Sequence, residues 1–147
     1  MAAPGHEKDS THWLYRLSPE EWISAALGEL GRVKDAFSAR HAAAAIAGLK
    51  RAAGMALNAA LIVRPRPEWG RSYVSHLRAL ADDAQAPAEV REAAWRLLDV
   101  KPPGGSVVSL RTRSDDEVLL EAARVVMAHA YALVHGSGGR SAGGDGA

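Results

Sequence analysis

The chain predicts an all-α fold, a four- to five-helix up-and-down bundle, on three observations. Residues 40–63 read RHAAAAIAGLKRAAGMALNAALIV, without proline and mostly alanine or aliphatic, and alanine has the best intrinsic helix propensity. Two stretches, Ser18-Pro19-Glu20-Glu21 and Ser114-Asp115-Asp116-Glu117, carry capping-box spacing in front of apolar runs. The best strand candidate, Val107, Val108 and Leu110, is too short to count and reads as extended loop.

In chain order, residues 1–12 are polar with Pro4 and Gly5 and are expected to form a flexible tail. Trp13, Leu14 and Leu17 then anchor the chain ahead of a helix that Ser18 caps and Pro19 opens. Ile23, Ala26, Leu27, Leu30, Val33 and Phe37 keep 3-4 spacing, which carries that helix to about Ser38. Ser38 to His41 is a polar break without glycine, so an antiparallel helix pair and one long bent helix both remain open.

The alanine-rich segment reads as the central helix, because small side chains let neighbours approach around most of its circumference. At 100° per residue Arg40, Lys50, Arg51, Gly54 and Asn58 share one side, expected to be a narrow strip facing water. Arg64-Pro65-Arg66-Pro67 ends the helix, since each proline lacks a backbone donor. Tyr73 to about Asp82 predicts a third, short helix. Pro87 stands where a first-turn proline would, before a fourth helix ending near Val100. Lys101-Pro102-Pro103-Gly104-Gly105 is loop by composition. The last helix is expected from Asp115 to about His135, with a disordered Gly/Ser-rich tail over 136–147. A single bundle domain therefore spans 13–135.

Composition removes several classes of function. The 147 residues contain no cysteine, which excludes disulfides, thiolate metal sites and cysteine nucleophiles. A net charge of +1 gives no strong field for sequence-independent DNA binding. The longest nearly apolar run, 52–63, is too short to cross a bilayer and includes Asn58, so no membrane partner is expected and the location reads as cytoplasmic. None of the six histidines has Glu three residues before it, as di-iron bundles require, and phosphate-loop and nucleophile-elbow patterns are missing. Neither a cofactor nor a metal is expected.

The candidate chemistry lies on the last helix, in Arg124-Val125-Val126-Met127-Ala128-His129. Val118, Ala122, Val126 and Leu133 mark an apolar stripe with His129 inside it. An imidazole there needs a hydrogen-bonding partner, or a place at a cleft or subunit interface. The plainer reading is a packed histidine beside a Glu121–Arg124 surface pair at i,i+3 spacing. Lys50, Arg51, Arg64, Arg66 and Arg71 are candidate phosphate or nucleotide contacts, with Arg111 and Arg113 before the last helix a second set. A solvated surface is the alternative for both. Trp13, Trp22, Trp69 and Trp95 read as packing or interface anchors.

The order of these segments resembles the HEPN domain, an all-α family. Glu21-Trp22 opening the first helix and the run from Ala52 to Leu61 resemble its first helical hairpin. Ser75-His76-Leu77 resembles its next helix, and the chain from Pro102 onward its approach to the last. The likeness covers about 17–134 and lies in pattern and spacing. It departs from the family at Val125, where a polar residue often follows the arginine, and at Gly54, Met55 and Asn58, where Glu and Lys are common. Many members are metal-independent ribonucleases whose Arg and His, four to six residues apart, meet across a dimer. On that resemblance Arg124 would stabilise phosphate charge and His129 would move a proton. Other members bind nucleotides or partner proteins without that motif. The expectation is thus a HEPN-like interaction or nucleotide-binding module, acting as a homodimer or with a partner protein. Its alternative is a ribonuclease acting on RNA through Arg124 and His129.

Overall fold

The computed structural model describes residues 13–100 and 113–146, with side chains as far as 136. Five α-helices follow in order: α1 (Pro19–Ser38), α2 (Ala42–Val63), α3 (Tyr73–Ala81), α4 (Ala88–Asp99) and α5 (Arg113–Gly146). Short 3₁₀ turns at Trp13–Arg16 and Pro67–Trp69 precede α1 and α3, and there is no strand among the described residues. The helices pack in a bundle around α2, which touches all four others.

Local chemistry explains the boundaries. Ser18 Oγ accepts the Glu21 N–H at 3.1 Å while the Glu21 carboxylate accepts the Ser18 N–H at 2.8 Å, which satisfies two donors that the first turn leaves unpaired. The Trp22 indole N–H donates to the Leu14 carbonyl at 2.9 Å and fastens the preceding turn onto α1. Of the two readings of the 38–41 break, the paired helices are the ones formed. The chain reverses with Arg40 in the left-handed region at φ 62°, a conformation most residues avoid. The second helix ends at Val63, before the two prolines. Ser72 and Ser75 form the capping box of α3, and Pro87 precedes α4 as its cap instead of occupying its first turn.

Central position of α2 follows from its small residues. Ala45, Ala52, Ala53, Ala56 and Ala59 are fully buried, beside Ile46, Leu49 and Leu57. Each of the three larger side chains contributes about 1.5–3 kcal/mol by leaving water. The expected wet strip is corrected by this packing: Gly54 and Asn58 are buried, because α3 lies across them.

The last helix differs from expectation at both ends. It is already helical at Arg113, so Ser114 lies inside it, and the helix runs past His135 as far as Gly146. No proline lies beyond Pro103 to interrupt its hydrogen-bond ladder. The N-terminal tail and the Val107 to Leu110 segment lie outside the described residues. Both α2 and the 113–136 part of α5 are long and apolar enough to cross a membrane by length and composition, although the apolar run read from sequence is shorter. Two thirds of the most apolar window of α2, 67%, is buried inside the bundle.

Candidate functional site

The packed face of α5 is set by Leu119, Ala123, Val126 and Ala130, at i, i+4, i+7 and i+11. The stripe expected through Val118 is therefore turned, and Val118 is 44% exposed. This rotation moves His129 to one edge of the packed face, half-buried, while Arg124 lies at the other. Five residues at 100° each separate the two by about 140° around the axis, so one chain presents them on opposite flanks of the helix.

Their surroundings differ as well. Arg124 pairs with Glu121 at 3.5 Å on the solvent side, as the i,i+3 spacing implies. Burial pushes the His129 imidazole below its ordinary pKa against the opposing pull of Asp83, at the turn between α3 and α4. A neutral ring at pH 7 follows.

The five basic candidates do not converge. Arg51 reaches Glu29 of α1 through two bonds, Nε at 3.0 Å and a second nitrogen at 2.6 Å, and Arg32 takes the other carboxylate oxygen at 2.9 Å. Burial alone would raise the Glu29 pKa, but the Arg51 and Arg32 guanidiniums outweigh it and hold the carboxyl below its ordinary range. Arg66 stacks over the Trp69 ring, 5.1 Å from its centroid, and pairs with Asp83 at 3.4 Å. Lys50 is half-buried, whereas Arg64 and Arg71 are exposed. Thirteen helical residues, about 20 Å along the axis, separate Arg51 from Arg64, too far for one phosphate to span. Arg113 is exposed at the described start of α5, and Arg111 lies outside the described residues.

A polar cluster that the sequence reading missed sits between α2 and α3. His76 is fully buried, with Nε2 2.9 Å from Asn58 Oδ1 and Nδ1 3.1 Å from the Trp69 carbonyl. Trp13 stacks on its ring at 5.8 Å. Burial lowers the His76 pKa, so the ring carries one proton at pH 7. The Trp69 carbonyl can only accept, which assigns that proton to Nδ1 and leaves Nε2 an acceptor. The Asn58 amide then belongs the other way round, with Nδ2 donating to Nε2, and this also gives a partner to an Nδ2 that otherwise has none. An asparagine inside an apolar helix was the available signal. Such a group is buried only with a partner.

A concavity lies on the outer face of α4. A groove of about 600 Å³ is lined by Ala81, Ala88, Arg91, Glu92, Trp95, Arg96 and Asp99. Trp95 is 57% exposed at its centre, unlike Trp22 and Trp69, which are buried. On α5, Tyr131 and His135 pack ring to ring at 4.2 Å on the solvent side. Among the described residues no group of three or more histidines and carboxylates is placed to hold a metal ion. Comparison with protein-family models, curated proteins and solved structures finds no match for the chain.

Proposed function

We propose that the chain is a HEPN-like helical interaction module working as a homodimer. The observation that supports this best is Trp95, a large aromatic 57% exposed in a groove on a well-packed helix. Tryptophan is enriched where partners meet because it buries much area at small entropic cost. The exposed Val118 and Tyr131 of α5 add apolar surface on the last helix. Nucleotide binding through Lys50, Arg51, Arg64, Arg66 and Arg71 is favoured less, since Arg51 and Arg66 are committed to carboxylates. A cytoplasmic location belongs to the same proposal; α2 is covered by protein, whereas the most apolar window of α5 is 39% buried. Sedimentation velocity across a concentration series tests the module: a dimer is expected, and a monomer at every concentration would sink it.

A ribonuclease is the second reading, favoured by the neutral state of His129 at pH 7, which a general base requires. The opposite placement of Arg124 means that a composite site would need Arg124 of one protomer beside His129 of its partner. Wild type is compared with His129→Ala on mixed RNA. Cleavage lost with the imidazole supports a ribonuclease; equal cleavage, or none from either, removes it.

A further inference from the structure

We propose that the outer face of α4 is a two-fold interface with a second copy of this chain, centred on Trp95. This rests on the homodimer reading and locates its contact.

The face reads, in order, Arg91, Glu92, Trp95, Arg96 and Asp99, all lining the same groove. Among the described residues none of the four charged side chains has a salt bridge or hydrogen bond. Glu92 and Arg96 stand at the i,i+4 spacing, carboxylate first, that favours pairing within a helix, yet they do not meet. The Arg91 Nε is buried and without a partner.

Read backwards, the same order is Asp99, Arg96, Trp95, Glu92, Arg91. An antiparallel second copy turned about Trp95 therefore brings Arg91 level with the partner's Asp99, and Glu92 to within two residues, about 3 Å along the axis, of the partner's Arg96, with the reciprocal pairs. Arg91 and Asp99 each lie four residues, about 6 Å, from Trp95 along the axis, so a two-fold there brings them to one level. This is the self-complementarity that an isologous contact requires. Ala81 and Ala88 leave room for the incoming aromatic ring.

The charge pattern also selects the occupant. A small anion or an acidic partner would meet Arg91 and Arg96 but be repelled by Glu92 and Asp99, and a basic partner the reverse. A second copy satisfies all four.

The test uses the full chain in sedimentation velocity over a concentration series, with circular dichroism confirming that each variant is folded. Arg91→Asp and Asp99→Arg each place like charges together and are expected to weaken the dimer by about tenfold or more. Both substitutions in one chain restore opposite charges and return dimerisation towards wild type. Trp95→Ala weakens it by about tenfold or more. The exchange Glu92→Lys with Arg96→Glu is a second, independent set. A dimer indifferent to all these changes keeps the homodimer reading and overturns its placement on α4. Loss in the single variants without recovery in the doubles overturns the crossed pairing, and a monomer throughout overturns both readings.

Discussion

At the scale of single residues, the pair Asn58 and His76 carries the clearest energetic consequence. Removing one member leaves the other buried and unsatisfied, at a cost of about 1–3 kcal/mol, whereas removing both costs less than the sum. Asn58→Leu is therefore expected to lower unfolding free energy by about that amount, and Asn58→Leu with His76→Leu to recover part of it. Urea denaturation of the two single variants and the double closes the cycle, and strict additivity would contradict a direct bond. The sequence gives both residues but not their meeting. An angular projection places Asn58 on the polar side of α2 and cannot tell that a helix beginning fifteen residues later will cover that side. The same limit explains Gly54. There the Tyr73 ring lies where a side chain would stand.

At the scale of elements, glycine separates two situations that look alike in sequence. Gly54 and Gly28 both sit inside helices, where alanine is favoured by about 0.8–1.0 kcal/mol. A Cβ at Gly54 would run into Tyr73, whereas one at Gly28 has nothing within 4 Å. Gly54→Ala is expected to destabilise by about 1–3 kcal/mol through overpacking, and Gly28→Ala to stabilise by about 0.5–1 kcal/mol. Thermal melts decide this, and a shift of the same sign in both would refute the packing of Tyr73 on α2. Helix starts were legible where a side chain closes a local ring, as Ser18 does with Glu21. The turn at Arg40 was legible only as a polar break, because its left-handed residue is not glycine. The face of α5 was misjudged by a small rotation, since Val118 and Leu119 are equally apolar and only the packed bundle distinguishes them.

At the scale of the whole molecule, α1, α3 and α5 each bring to the bundle a titrating group with a shifted pKa, so stability depends on pH in two stages. His76 and His129 have pKa values lowered by burial, although Asp83 opposes the shift at His129. Well above pH 6.5 both rings are neutral folded or unfolded, and stability is level. As pH falls below 6.5 the unfolded chain binds protons first, and stability declines until the depressed folded values are reached. The slope is at most about 1.4 kcal/mol per pH unit for each histidine, and the half-exposed His129 contributes less than His76. Glu29 acts later. Its pKa is lowered despite burial, so its contribution is present above pH 4.5 and fades as acid protonates the carboxylate in the Arg32 and Arg51 clamp. Urea midpoints measured from pH 8 to pH 3 are expected to show a plateau, a decline beginning near pH 6.5 and a further decline below about 4.5. His76→Leu should remove most of the first decline and leave the second, while Glu29→Gln should remove the second. A first decline that survives His76→Leu unchanged would mean that the buried imidazole is not the group that couples acid to the packing of α3 on α2.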